Sequence, residues 1–328
     1  MAEPEGEAGA TPPEATTNYP EAGTPKVRLQ PPGVAFSIEG WSVAGIETWL
    51  RIPEFSLAID VGRVAAPALA SRHMALTHGH LDHAGGLPAW LGLRRMSAMP
   101  PARVYLPAEM VAELSTILAA WERLQGVAFE VELFPARPGD RFSLGSGRSL
   151  VALPAHHRVP ALGWAVVERR AKLLPELLGK SGPEIRALRT AGHVVARHEE
   201  VTLLAISGDT LASAVDEAPA LRDAQVVLHE VTLLDERHPP GLAHAGYHTH
   251  LHDLRQSEVA AAAGCFVPYH ISQRYSVAES RALLEAELAP RFGERLLPLL
   301  PTHDLPSRRR GATKRSAATS CCERRDGC

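Results

Sequence analysis

No run of apolar residues in this sequence approaches the roughly 18 to 20 that a membrane-spanning helix needs, so a helical integral membrane protein is excluded. The opening stretch MAEPEGEAGATPPEATTNYPEAGTPK lacks the basic and apolar regions of a secretory signal, and a cytoplasmic protein is the expectation. Cysteine is scarce. Of 4 cysteines in 328 residues, Cys265 stands alone at an apparent strand start, and Cys321, Cys322 and Cys328 crowd a tail with no core around them. That usage fits a reducing compartment and offers no disulfide framework. Charge of one sign is also lacking: the formal net charge of −3 points to no partner by itself. No internal repeat of roughly 20 to 50 residues is visible, which argues against a solenoid.

A hydrophobic content of 45% in a chain of this length is enough for a large core. The distribution of charge says more than its sum. Residues 1–26 hold five glutamates, one lysine and five prolines with few large apolar side chains, so they cannot offset the entropy of ordering and a disordered acidic tail is expected. Residues 307–328 carry seven basic and two acidic residues, and a second disordered tail of opposite sign is expected. The folded domain should then span 27–306.

Within it, short runs such as VRLQ, VAFSI, ETWLRI and FSLAID predict a twisted antiparallel meander. AGGLPAWLGLRRM and AEMVAELSTILAAWERLQ carry helical periodicity around a strand RVYLP, and EVELF, RFSLG and SLVALPA predict further strands. A basic stretch, 169–198, is helix-prone. The last third alternates: strands VTLLAIS, AQVVLHE and FVPYH with helices LHDLRQSEVAAAAG and VAESRALLEAEL. The pattern predicts an α/β fold with sheets sandwiched between helical layers.

Polar residues cluster where the strands end. THGHLDHAGG places His78, His80, Asp82 and His83 in the spacing H-x-H-x-D-H, directly after the apolar run HMAL. Burying four such groups unpaired would cost several kcal/mol, and a metal removes that cost. Two imidazoles two residues apart can converge on one ion while an adjacent Asp-His pair faces a second, an arrangement suited to zinc. The coordination shells would need further ligands downstream, and His156, His157, Asp209 and His270 all follow strand-like runs. Asp209, in SGDT, could equally be a turn or helix-capping residue.

With these motifs, the chain resembles the metallo-β-lactamase superfamily and, within it, the tRNase Z family. The resemblance covers about 42–301 and rests on H-x-H-x-D-H, HRVPALGW, LHEVTLLDE, YHTHL and HISQRY. It implies a four-layer αβ/βα sandwich. It also implies a zinc-dependent endoribonuclease that cleaves precursor tRNA at its 3′ end through a metal-bridged hydroxide, with another phosphodiester or small ester-type substrate as the alternative. Two Zn²⁺ ions are implied, with Mn²⁺ or Fe²⁺ able to replace them. By motif, His78, His80 and His157 hold one ion and Asp82, His83 and His270 the other, with Asp209 bridging; His156 is left outside. Asp82 is implied to orient the nucleophile or take its proton, His248 to act as general acid, and Glu230 to orient His248. His250 and His252 are expected at the surface of a helix start, while His229 and His244 have no assigned role.

The family's tRNA-gripping arm corresponds to the short segment 169–198, which carries seven basic and two acidic residues. The resemblance places Arg169, Arg170 and Lys172 against RNA and implies a homodimer. Val231 and Tyr247 stand where the family has alanine and glycine, departures that bear on substrate more than on metal.

Overall fold

A computed structural model describes residues 27–261 and 264–304; both expected tails, 1–26 and 307–328, lie outside the described residues. Two sheets form the frame. The first contains β1 (Val27–Leu29), β2 (Ile38–Val43), β3 (Glu47–Ile52), β4 (Leu57–Ile59), β5 (His73–Ala75), β6 (Ala102–Pro107) and β7 (Val131–Ala136), in that order across the sheet. The second contains β8 (Arg141–Gly145), β9 (Arg148–Pro154), β10 (Leu162–Leu173), β11 (Ala196–Ile206), β12 (Val226–Glu230) and β13 (Cys265–Tyr269), also in chain order from one edge to the other.

Each sheet changes character along its width. β1 to β4 pair antiparallel, as the short Pro- and Gly-punctuated runs predict, and β4 to β7 pair parallel. The second sheet repeats the plan, antiparallel from β8 to β11 and parallel from β11 to β13. The parallel strands β5, β12 and β13 are buried at every position, which explains why HMA, VVLHE and CFVPY read as continuous runs without polar alternation. Pro135 and Pro268 lie in the outermost strands β7 and β13, where a missing N–H is tolerated; outside β13, Leu297 and Leu299 donate to the carbonyls of Phe266 and Pro268.

Three apolar clusters stack the layers. Ile38, Leu50 and Ile59 of the first sheet meet Trp164, Leu204 and Val267 of the second in a core between the sheets. Met74 and Val104 pack outward against Trp90, Leu91, Leu114 and Leu118 from the helices Leu87–Met96 and Val111–Gln125. Val227 and Phe266 pack outward against Leu221, Leu284 and Leu288, the last two from the helix Val277–Phe292. The result is the helix–sheet–sheet–helix sandwich expected.

Two expected helices are corrected. Among the described residues of LHDLRQSEVAAAAG, helical structure is limited to a short 3₁₀ turn, Leu251–Arg255. Arg291 explains the stop: its guanidinium donates to the carbonyls of Leu254, Ser257 and Val259, so these acceptors are turned away from a helical ladder. In the stretch 169–198 the helix covers only Gly182–Thr190, started by a capping box of Ser181 and Glu184. Its flanks are strand. β10 and β11 run beyond the sheet as a two-stranded ribbon pairing Arg169 with Glu200 and Leu173 with Ala196, and β10 turns from buried to exposed at Glu168.

Candidate metal centre

The seven expected ligands come together at one edge of the sandwich, joined there by further polar residues, because strands end there. Asp60 follows β4, Thr77 and His78 follow β5, His157 follows β9, Asp209 follows β11, Glu230 ends β12 and His270 follows β13. His80, Asp82 and His83 lie in the loop and short helix Leu81–Ala84. This loop sits against Gly62, where a Cβ would lie 2.0 Å from the carbonyl oxygen of Asp82, so only glycine permits the approach. Asp60 and His270 adopt left-handed backbone conformations, with φ of 58° and 62°, an arrangement that costs energy and concentrates at functional sites.

Two donor groups share one carboxylate. In the first, His78 Nε2 lies 3.0 Å from His80 Nδ1 and 3.7 Å from Asp209 Oδ2, and His157 Nε2 lies 3.4 Å from His80 Nδ1. In the second, His83 Nε2 and His270 Nε2 are 3.1 Å apart and each is 3.7 Å from Asp82 Oδ2. Asp209 Oδ2 lies 3.4 Å from His83 and 3.5 Å from His270, so it faces both groups.

The far ring nitrogens are fixed from behind. Thr77 Oγ1 holds His78 Nδ1 at 3.0 Å, Asp60 Oδ2 holds His83 Nδ1 at 2.8 Å, Thr232 Oγ1 holds His270 Nδ1 at 3.1 Å, and the Tyr247 carbonyl accepts from His157 Nδ1 at 3.2 Å. Each contact leaves Nε2 to point into the shared space, which is how metal-ligating histidines are oriented. Asp209 Oδ1 is buried and has no hydrogen-bond partner among the described residues. An orphaned carboxylate oxygen beside convergent imidazoles fits a divalent ion better than a hydrogen-bonded core.

Electrostatics separates the two groups. Burial pushes His78, His80 and His157 down, toward the neutral form that ligation requires. Burial would raise Asp209, but the charges of His270, His83 and His78 hold it well below the usual carboxylate range. Asp82 is likewise held down, its burial overridden by the hydrogen bond to His270 and the charge of His83. Burial opposes charge on His83 too, yet Asp209 and Asp60 push it well above an ordinary histidine. The negative field that raises His83 is one that favours a cation at this point.

Glu230 is fully buried under the edge. Its Oε1 accepts from the backbone N–H groups of Thr210 and Thr249 and from His248 Nδ1 at 3.0 Å, and its Oε2 accepts from Thr232 Oγ1 at 2.8 Å. Burial disfavours charge on His248, but Glu230 overrides it and pushes the imidazole up to about 9. His248 borders a cleft of about 940 Å³ lined also by Gly45, Arg158, Leu242, Gln273 and Arg274. The cleft carries the guanidinium groups of Arg158 and Arg274, which are suited to phosphate.

The remaining candidates part company. His156 is outside the cluster, bonded to Glu217 at 3.1 Å. His252 is exposed as expected, but His250 is buried: it caps the 3₁₀ turn with Asp253 rather than sitting at the surface. His244 pairs with Asp253, and His229 is buried with Nε2 lacking a hydrogen-bond partner among the described residues. Asp60, Thr77 and Thr232 escape a reading of sequence, because single Asp and Thr residues after strands are too common to stand out. Arg170 and Lys172 pair with Glu168 and Glu199, at 2.5 Å and 3.5 Å. Those glutamates lie just outside the window in which the basic residues were counted; from 168 to 200 the balance is seven basic against five acidic.

Comparison with known proteins gives the family. A family model for the β-lactamase superfamily domain matches residues 72–271. The chloroplastic tRNase Z TRZ2 of Arabidopsis thaliana is 28% identical over 268 residues, covering 81% of this chain and 75% of that protein. Ribonuclease Z of Geobacillus kaustophilus is 31% identical over 257 residues, covering 69% and 81%. Nuclear ribonuclease Z of Triticum aestivum is 31% identical over 173 residues, covering 52% and 96%. The metallo-β-lactamase fold protein YhfI of Bacillus subtilis aligns with a TM-score of 0.55 at 12% identity, over 82% of this chain and 98% of that one, a likeness of fold. With its motifs gathered at one sheet edge and relatives of this kind over most of its length, the chain belongs to the tRNase Z (ribonuclease Z) family of the β-lactamase superfamily.

Proposed function

We propose that the protein is an endoribonuclease that removes the 3′ trailer of precursor tRNA with two zinc ions held at this edge. The observation that carries the reading is the convergence of two His-Asp donor groups on Asp209 beside a buried Glu230–His248 pair. His78, His80 and His157 would hold one ion, Asp82, His83 and His270 the other, and Asp209 would face both. When bound, such ions supply Lewis acidity and lower the pKa of water. Asp82, whose Oδ2 is anchored by the Gly45 N–H at 2.8 Å, orients the attacking water or receives its proton. His248 gives its proton to the departing ribose oxygen, and Glu230, whose Oε1 accepts from Nδ1, leaves Nε2 of that ring as the donor. Arg158 and Arg274 line the cleft where a phosphodiester backbone would pass.

A single hydrolase domain over 27–306 is supported by the core shared between the sheets. For assembly we propose a homodimer through the helix Val111–Gln125, whose Ile117, Trp121 and Leu124 form an exposed apolar stripe. No described helix is long and apolar enough to cross a membrane, and the location proposed is the cytoplasm. Arg169, Arg170 and Lys172 remain the proposed RNA contacts of the ribbon. One observation favours a second reading, a smaller phosphodiester or ester substrate: two of those three cations already have carboxylate partners. Incubating the protein with a precursor tRNA transcript and with bis(p-nitrophenyl) phosphate, with and without added zinc or manganese, separates the two. Cleavage at the trailer junction supports the first; turnover of the small diester alone supports the second.

A further inference from the structure

We propose that Thr232 is a positioning residue that couples the second donor group to the proton-donor pair, so that metal affinity at His270 and the state of Glu230 are linked. The proposal rests on the metal-binding reading of the site.

Thr232 Oγ1 is buried and lies within hydrogen-bond range of Glu230 Oε2 at 2.8 Å, His270 Nδ1 at 3.1 Å and the His270 carbonyl at 3.3 Å. A hydroxyl has one hydrogen to give. The nearer acceptor, the Glu230 carboxyl oxygen at 2.8 Å, competes best for it, because bonds to carboxylates are the stronger ones. With its hydrogen committed to Glu230, Oγ1 can only accept from His270, which fixes that ring with hydrogen on Nδ1 and a lone pair on Nε2. The direction of the whole chain then follows: His270 Nδ1 donates to Thr232, Thr232 to Glu230 Oε2, while Glu230 Oε1 accepts from His248. Polarisation passes along such a chain, so a negative Glu230 makes Oγ1 a better acceptor and His270 Nε2 a better ligand.

The backbone at this point is anchored independently of the side chain. Thr232 N–H donates to the Thr249 carbonyl and the Thr232 carbonyl accepts from Ser272, both at 3.0 Å. A change of side chain therefore tests the hydroxyl rather than the path of the chain. A second route from Glu230 to the metal groups exists through the Thr210 N–H next to Asp209, and a pairwise experiment tells the two apart.

The test uses the full-length protein and zinc alone, with affinity read by competition against a chromophoric chelator. Thr232→Val should weaken the more weakly held zinc by about 10- to 100-fold, the range for loss of an outer partner of a ligating histidine, and Thr232→Ser should restore affinity to within about threefold of the parent. Glu230→Gln should weaken zinc binding in the parent and add nothing in the Thr232→Val background. Parent-like affinity in Thr232→Val, or effects of the two changes that multiply, would overturn the coupling; the second outcome assigns the influence of Glu230 to the Thr210 route. If Thr232→Val fails to fold, Glu230→Gln decides alone, since an unchanged zinc affinity there contradicts the proposal. None of these readouts uses RNA, so a parent that binds zinc but leaves precursor tRNA intact would sink the proposed substrate and not this linkage.

Discussion

The metal edge and the β10–β11 ribbon are both rich in charge-bearing residues, and they are built in opposite ways. At the edge, Asp60, Asp209 and Glu230 are buried, four of the five clustered imidazoles are held from behind, and one carboxylate oxygen has no hydrogen-bond partner among the described residues. Along the ribbon the side chains are exposed, and the cations face glutamates on the same hairpin. A charge in the first setting is fixed in place and costly to remove. In the second it is screened and loosely held, with each ion pair worth little. Residue counts treat the two alike; the geometry does not.

Mutations should therefore act very unequally on the two regions. His80→Ala should lose bound metal and activity together, with a fall in kcat/KM of about a thousandfold or more, because a three-histidine site cannot keep its geometry with two. Metal analysis of the purified variant beside a cleavage assay checks this, and full activity would refute the ligand assignment. Next in size is His248→Ala, which should retain its metal and lose about a hundredfold in turnover, the usual range for a general acid. Metal loss alongside would make His248 a ligand or a structural residue instead.

On the ribbon, replacing Arg169, Arg170 and Lys172 by glutamine should raise KM for precursor tRNA by about threefold at low salt, less at high salt, and leave a small diester unaffected. The modest size follows from the pairing with Glu168 and Glu199. A tenfold or larger rise would mean that those glutamates give way to RNA and that the contrast between the two regions is overdrawn.

The smallest effect is expected inside β5, at a buried histidine with no part in the edge. His73 bonds Tyr105 Oη at 2.9 Å, and burial, with the charges of Arg72 and Arg103, pushes it down to about 4. The unfolded chain takes up that proton near 6.5, so stability should fall as pH drops from about 6.5 to about 4. Urea unfolding across this range should show a shallower dependence in His73→Phe than in the parent. An identical slope would mean that His73 does not contribute.

Most of the edge was legible in the sequence because its chemistry is concentrated: H-x-H-x-D-H puts four ligand types into seven positions, and no ordinary surface loop needs them. The strands were legible for a similar reason, since runs such as VVLHE have a length and composition that few other elements share. The charge excess of the ribbon is overstated by composition alone. A window ending at His198 stops just short of Glu199 and Glu200, which pairing in the β ladder brings opposite Arg170 and Arg169. His250 and the false helix after it failed on long-range contacts, the Asp253 cap and the carbonyl captures by Arg291, which no local pattern announces. Tyr247 illustrates a middle case. The resemblance marked it as a departure from glycine, and its φ of 60° gives the physical reason a glycine suits the position.

Native mass spectrometry of the chain purified without chelator, run beside a precursor tRNA cleavage assay, tests the central claim most directly. The account predicts two zinc-mass ions per chain, and loss of trailer cleavage in step with their removal by chelator. A chain stripped of metal that still cleaves the transcript at the parent rate would contradict it.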